Sequence, residues 1–340
     1  MTKRKKTAMV IAMALMALIA FSPAAMAKIV MKMGTSTQPD HIYNQGLRYF
    51  EKLVEKGTNG AIDVQIFPAN QLGAERELVE GLQLGTVQGT MTSTGPMGNF
   101  LPEIKVFNLP FLFKDRKSCY AVLDGPVGQE IAKKLIPLGI RSLGWCENGF
   151  RNVTNSKRPI NKPEDMKGLK IRVMEDDLFI ISMKALGASP LPMAFSELYT
   201  ALEQKTVDAQ ENPLAVIYSS RFFEVQKYLA MTGHFYSPAM LLVSESFFKS
   251  LTPAQQKVLI EAGAKTRDYE RKLSMEADQS LEAKLKEKGM IITHPDKKPF
   301  MEAVASVYTN PKVMKAIGGG DAKKGKALIE KVKAAAMAAK

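Results

Sequence analysis

The chain is poor in the residues that most catalytic and metal chemistry is built from. Its 340 residues include three histidines, His41, His234 and His294, and two cysteines, Cys119 and Cys146. Neither cysteine stands at metal-ligand spacing from a histidine, so no metal site is expected, and nothing in the sequence implies a cofactor. Two cysteines do not make a disulfide framework. In an oxidising compartment, one bridge across the intervening loop and two separate buried thiols both stay open. No serine sits in a nucleophile-elbow pattern. The string Gly320-Asp321-Ala322-Lys323-Lys324-Gly325-Lys326-Ala327 nearly spells a phosphate-cradling loop. Ala327, however, replaces the Ser or Thr that would hold magnesium, and no strong strand precedes it. It reads as a glycine linker before a terminal helix, and the chain is not expected to be an enzyme.

Long apolar runs are also scarce. Beyond Lys28 no window approaches the roughly 20 apolar residues of a membrane span. The one apolar run, Ala8 to Phe21, follows Lys3-Arg4-Lys5-Lys6 and closes at Ala25-Met26-Ala27. That is the form of a secretory signal peptide covering 1–27 and cleaved after Ala27, which predicts export to the periplasm. The remaining length fits two domains. The formal charge of +13 suggests nucleic acid until it is placed along the chain. Four charges belong to the leader and six to the segment 311–340, where eight lysines face Asp321 and Glu330, leaving +3 for the body. No broad basic surface follows, and no nucleic-acid partner is expected. The lysine- and alanine-rich segment from Pro311 to Lys340 reads as a solvated terminal helix, with a polyanion hook as the alternative, and 330–340 is its basic C-terminal tail.

Hydrophobic periodicity predicts alternating strands and helices. Ile29 to Thr35 reads as a strand, and a helix starts near His41 with Tyr43, Leu47, Phe50 and Val54 at helical spacing. A strand at Ala61–Phe67, a helix at Ala74–Leu84, a strand at Val87–Thr92 and a helix at Cys119–Leu138 follow. Strands at Ile140–Trp145 and Leu169–Val173 continue the pattern. Such alternation argues for α/β layers with a mixed sheet in each domain. The segments Trp145–Phe150 and Thr232–Ala239 look like joints. From Thr252-Pro253, a cap and a first-turn proline lead into an unbroken helical run to about Lys288, long enough to reach across both lobes.

What remains for chemistry is arginine at strand ends. Arg151 follows Gly149-Phe150, and Arg172 alternates with Ile171 and Val173 near the end of a strand. Ligand crevices in open α/β sheets lie off the carboxyl ends of strands. A guanidinium there offers two N–H groups matched to both oxygens of a carboxylate, although spacing alone favours an ordinary surface salt bridge for either arginine.

Several longer words carry a resemblance. Asn152-Val153-Thr154-Asn155-Ser156, Asp165-Met166-Lys167-Gly168-Leu169-Lys170-Ile171-Arg172-Val173, Leu186-Gly187-Ala188-Ser189-Pro190, Pro192-Met193-Ala194-Phe195-Ser196-Glu197-Leu198-Tyr199, Val207-Asp208-Ala209-Gln210-Glu211-Asn212-Pro213 and, upstream, Pro68-Ala69-Asn70-Gln71-Leu72-Gly73 occur in this order. Together they resemble the solute receptors of tripartite ATP-independent periplasmic (TRAP) transporters, the C4-dicarboxylate-receptor (DctP) family. The resemblance implies a two-lobed periplasmic binding protein whose hinge cleft closes on a small organic acid anion for TRAP membrane subunits, and a monomer is expected. On that plan, 28–148 plus 238–277 form lobe I and 149–237 plus 278–329 form lobe II. Arg172 matches the family arginine that pairs with the ligand carboxylate, Arg151 a supporting arginine, Asn212 a carboxylate-contacting amide and Phe195 a wall residue. Ser93 and Pro96 stand where the sialic-acid-binding branch has an acidic residue and an arginine, so sialate is not expected.

Other residues keep two readings. Glu75 and Arg76 fall at the cleft edge, touching ligand directly or through water. Ser93 is expected to contact ligand from the opposite lobe, and His41 either contacts ligand or faces solvent. Glu175-Asp176-Asp177 either favour the positive end of the helix that starts there, or one of them, Glu175 first, accepts hydrogen bonds from ligand hydroxyls. Trp145 and Phe150 line the cleft or pack in the core. The preferred ligand is a hydroxylated monocarboxylate such as a sugar acid. A C4-dicarboxylate, an aromatic acid, or a sensor that presents its ligand to a signalling partner are the alternatives.

Overall fold

A computed structural model describes residues 28–339; the expected leader, 1–27, lies outside the described residues. Among these, no helix is long and apolar enough to cross a membrane. The strands are β1 (Ile29–Gly34), β2 (Ile62–Phe67), β3 (Gly89–Ser93), β4 (Ile140–Asn155), β5 (Lys170–Val173), β6 (Ser189–Pro192), β7 (Ala209–Asn212), β8 (Tyr228–Ser244) and β9 (Ile291–Thr293). They are hydrogen-bonded in the order β2-β1-β3-β8-β4-β7-β5-β6, with β9 beside β8. The two ends are parallel, β2-β1-β3 on one side and β7-β5-β6 on the other, and antiparallel β4 and β8 join them. Each lobe thus has a mixed sheet, and both sheets share the same two long strands.

Those long strands correct two expectations. The strand expected to stop at Trp145 runs on through 16 residues as β4, and the joint expected at Thr232–Ala239 lies inside the 17 residues of β8. The breaker residues produce register shifts instead of turns, between Ser142 and Gly144, Glu147 and Gly149, and Arg151 and Val153. Each such bulge bends and twists a strand without ending it. Gly149 accepts a φ of +116° that a side chain would resist.

The principal helices are α1 (Ile42–Gly57), α2 (Glu75–Leu84), α3 (Arg116–Asp124), α4 (Pro126–Lys133), α5 (Asp177–Ala185), α6 (Leu214–Ser219), α7 (Pro253–Glu287), α8 (Pro311–Ile317) and α9 (Ala322–Ala338). The single helix expected over Cys119–Leu138 breaks between α3 and α4, because Pro126 cannot donate into a preceding turn and biases Gly125 to extended backbone. Core residues divide by sheet face rather than by lobe. Along β8, Met240 and Leu242 join one cluster with Leu78, Ile171 and Val173, while Ala239, Leu241 and Val243 join another with Met31, Phe50 and Leu214. This is the two-residue period of a strand buried on both sides. Cys119 and Cys146 belong to different clusters and are buried free thiols.

Helix α7 is 35 residues long; Gln255 N donates to Thr252 Oγ1 and Thr252 N to Gln255 Oε1 across its first turn. It packs against α1, β4 and α6, crossing both lobes. Its face toward β4 is polar: Arg271 bonds Asp124 and the Trp145 carbonyl, and Glu270 Oε2 accepts the Glu147 N–H at 2.9 Å. Among the described residues no cation lies within ion-pair distance of Glu270, and its Oε1 has no partner. Burial pushes this carboxyl well above its ordinary 4.5, opposed by the Glu147 hydrogen bond. A buried acid with a raised pKa contributes stability fully below the unfolded value, and that contribution is lost as pH rises through the folded one. Glu270→Gln keeps the acceptor and cannot ionise. It should therefore gain on the parent protein as pH rises from about 5 to 9, measured by denaturant unfolding at several pH values; a constant difference across the series refutes a neutral Glu270.

The expected C-terminal helix forms, but it is not solvated all round. Gly325, Ile329, Val332 and Ala336 recur at helical spacing and bury one face of α9, against α3 and the turn Pro102–Asn108. The near-phosphate-loop string forms the turn into this helix, with the Asp321 carboxylate accepting the Lys323 and Lys324 N–H groups.

Candidate functional site

The carboxyl ends of β1, β3, β5 and β7 converge on one gap between the lobes. The words noted in the sequence build its walls. Pro68–Gly73 is a turn in which Ala69 and Asn70 take φ values of +52° and +62°. Their N–H groups donate to the Thr37 and Thr35 carbonyls, bracing the loop after β1, and the turn delivers Glu75 to the start of α2. Asn44 pins the same loop from inside, donating to the Thr37 and Gln38 carbonyls and accepting from Thr35 Oγ1. On the other side Gly168 and Gly187, at φ +73° and +83°, align β5 with β6. Met193 N then donates to the Val173 carbonyl, folding the Pro192–Tyr199 segment over the end of β5.

An inner cavity lies between these walls, lined by Tyr43, Glu75, Ser93 and Asn148 on one side and by Arg172 and Asn212 among others on the other. Arg151, Met174, Phe195, Ser36, Thr37 and Val216 complete it. An outer cavity shares Glu75, Arg172, Met174 and Phe195 and adds Arg76 and Glu175. The walls touch beside it. Lys105 Nζ pairs with Asp176 Oδ1 at 3.1 Å, Asn99 Nδ2 donates to the Glu175 carbonyl, and Ser93 Oγ meets Met174 Sδ at 3.6 Å.

The two arginines differ in their partners. Arg151 is fully buried and bound by Glu211, with Nε to Oε2 at 2.5 Å and Nη2 to Oε1 at 2.8 Å; among the described residues its Nη1 has no partner. Burial alone would raise the Glu211 carboxyl, but Arg151 and His234 hold it below its ordinary range. Arg172 is 3 % exposed, and its Nε and Nη2 both donate to the Met193 carbonyl at 2.9 and 2.7 Å. Among the described residues no carboxylate lies within ion-pair distance of it. Burial, and then the charge of Arg151, lower its pKa to about 10, so it remains a cation at neutral pH. A buried cation held by a carbonyl and facing a cavity is a seat for an anion.

Opposite it, Glu75 is a fixed acceptor. Its carboxylate takes hydrogen bonds from Thr92 Oγ1 at 2.9 Å, Ser93 N at 2.8 Å and Ser93 Oγ at 3.1 Å. Asn212 spends one amide hydrogen on Gln210 Oε1 at 2.6 Å and has a second. Phe195 stands with its ring centroid 5.9 Å from the Arg172 guanidinium carbon. Arg76 is exposed and pairs with Glu80 at 3.0 Å, and the Glu175 side chain is exposed at the outer cavity.

His41 is neither a lining residue nor solvent-facing. Its Nδ1 accepts the Tyr43 N–H at 3.2 Å, capping α1, its ring packs edge-on against Tyr43, and burial lowers its pKa to about 3. Of the acidic cluster, Asp176 caps α5 through Leu178 N and meets Lys105. Trp145 is core, stacked edge-on with Phe107, and Phe150 packs on Tyr236. Sequence reasoning missed Ser36, Thr37, Tyr43 and Asn148 as lining residues. Ser36 Oγ and Tyr43 Oη are buried without partners among the described residues. Tyr43 falls on the helical stripe that reads as core, and only its hydroxyl, which core packing does not require, hinted otherwise.

The model of bacterial extracellular solute-binding protein, family 7, matches residues 33–313. The chain is 36% identical over 290 residues to the 2,3-diketo-L-gulonate-binding periplasmic protein YiaO of Escherichia coli (strain K12), covering 85% of this chain and 88% of that one. It is similar to a TRAP periplasmic solute-binding protein from Polaromonas sp. JS666 solved bound to D-erythronate, with TM-score 0.85, 42% identity, and 90% and 99% of the two chains covered. It is also similar to the sugar acid binding protein DctPAm of Advenella mimigardefordensis solved with galactonate, with TM-score 0.87, 35% identity, and 92% and 99% covered. Motifs, shared-sheet architecture and these matches agree: the chain belongs to the DctP family of TRAP periplasmic solute-binding proteins.

Proposed function

We propose that the chain captures a hydroxylated monocarboxylate of the sugar-acid type in the periplasm and delivers it to TRAP membrane subunits. The observation that carries this is the buried Arg172 guanidinium, which faces the cleft with a carbonyl partner and no carboxylate. The ligand carboxylate supplies that charge, with Asn212 and the free Nη1 of Arg151 donating to it. Glu75 selects what lies at the other end. As an anion it accepts from hydroxyl groups and repels a second carboxylate, which disfavours a C4-dicarboxylate. An aromatic acid would leave the Ser36 and Tyr43 hydroxyls unpaired and would offer Glu75 no hydroxyl donor, an unfavourable exchange for buried polar groups. The hydroxylated acids bound by the Polaromonas and Advenella proteins are of the kind this polarity suits.

In this reading the leader is removed after Ala27, the mature chain works as a monomer, and the lobes are 28–148 plus 238–277 and 149–237 plus 278–329. Closure bends β4 and β8 at their bulges, driven by contacts that exist only in the closed form.

Calorimetry of the mature chain tests the reading with D-erythronate, galactonate, succinate and benzoate. A sugar acid should bind best and be recovered unchanged, and at 100 times its Kd it should add about 2.7 kcal/mol of stability. Tighter binding of succinate than of every sugar acid overturns the monocarboxylate, and turnover of the ligand overturns the binder. Tyr43→Phe separates ligand contact from packing. The lost hydroxyl has no protein partner, so unliganded stability should hold or rise slightly, while affinity should fall about tenfold, the worth of one hydrogen bond. Unchanged affinity removes Tyr43 from the site.

A further inference from the structure

The basic character of this chain is concentrated at its C-terminal hairpin, and the structure shows where those charges go. Helices α8 and α9 cross so closely at Gly325 that an added Cβ would lie 1.8 Å from the Met314 carbonyl. Around that crossing stand Lys312 and Lys315 of α8 and Lys323, Lys324 and Lys326 of α9, all exposed. Among the described residues none of the five has a carboxylate within 4.0 Å, whereas Lys331 is neutralised by Glu130 at 2.7 Å and Lys333 by Glu330 at 3.6 Å. Asp321, the nearest acid in sequence to four of them, directs its Oδ1 into the α9 cap, and Glu330, nearest to Lys326, pairs with Lys333. The buried stripe of α9 fixes the helix to the body, so the lysines project from a rigid face and not from a flexible tail.

We infer that this five-lysine face is a reversible docking surface for an anionic lipid bilayer. Like charges crowded on one face repel one another and, if only solvated, bring no compensating contact. A negatively charged surface removes that repulsion, and each lysine brought to it contributes about 1 kcal/mol within a Debye length. Five such charges make the attachment additive but weak enough to release at raised ionic strength. A receptor that must find a membrane-embedded partner then searches in two dimensions. The inference is independent of which acid fills the cleft.

The test is co-sedimentation of the mature chain with vesicles of phosphatidylcholine alone and with one quarter phosphatidylglycerol, at low and high salt. Binding is expected to the anionic vesicles only and to disappear at high salt. Lys323→Gln, Lys324→Gln and Lys326→Gln together should reduce it roughly a hundredfold at about fivefold per charge. On the same triple variant ligand affinity should not move, and the unfolding temperature should hold or rise slightly as the repulsion is relieved. Equal binding to neutral and anionic vesicles, equal binding by the triple variant, or no binding at low salt would overturn the inference. So would binding only to vesicles that carry a transporter protein, which would assign the face to a protein partner.

Discussion

Arg172→Ala should weaken ligand binding by roughly 30-fold to several thousandfold, the 2–5 kcal/mol typical of truncating one partner of a buried charge pair. The magnitude follows from geometry. Arg172 is almost fully buried, its Nε and Nη2 are held by the Met193 carbonyl, and among the described residues its charge has no counterion. Removing the side chain leaves a ligand carboxylate in a closed cleft with Arg151 alone, and Arg151 is already neutralised by Glu211. Arg172→Lys should recover only part of the loss. An ammonium cannot bond the Met193 carbonyl through two nitrogens and also present a planar fork to the ligand. The unliganded protein should not suffer equally, because burying this cation opposes folding until an anion arrives. Calorimetry and denaturant unfolding on the same variants separate the two effects. Wild-type affinity in both variants would remove Arg172 from the site.

How far the sequence exposed this arrangement depends on the range of each interaction. Alternation of Leu169, Ile171 and Val173 marked a strand and put Arg172 on its other face, and the family words placed Arg172, Arg151, Asn212, Phe195, Glu75 and Ser93, all of which line the inner cavity. Local rules failed where a breaker sits in a strand stabilised from both sides. Gly149 and Gly233 looked like turns, but β4 and β8 pair with each other through both positions' neighbourhoods, and the sheet absorbs them as bulges or bends. The partner of Arg151 was equally hidden. Glu211 is 60 positions away in sequence and meets it only because β7 pairs with β4, Asn152 opposite Asn212. His41 was misplaced for a related reason: a helix-start histidine is commonly solvated, and here the first loop folds back and seals it. The exposed faces of α9 read correctly as basic, but its buried stripe of Ile329, Val332 and Ala336 is too sparse to announce a docked helix.

Glu211→Gln is the change expected to cost most in stability, about 3–5 kcal/mol, because it leaves the Arg151 cation buried without its counterion. The glutamine retains one acceptor, so the loss is of charge and not of shape. Arg151 is fully buried and close enough to Arg172 to lower that group's pKa, so two unneutralised guanidinium groups would then share the floor of the cleft. A ligand carboxylate would be the one anion able to relieve both. The rise in melting temperature on adding ligand should therefore be larger in the variant than in the parent protein, even as the unliganded variant melts earlier. Replacing the pair together, Arg151→Met with Glu211→Leu, should restore most of the unliganded stability, since a buried ion pair exchanged for packed apolar groups is often neutral. That double variant should gain no extra ligand-induced stabilisation, because the uncompensated charge has gone. A Glu211→Gln protein with the parent's unliganded stability would mean that water or a rearranged acceptor satisfies Arg151 and that Glu211 is not its required counterion.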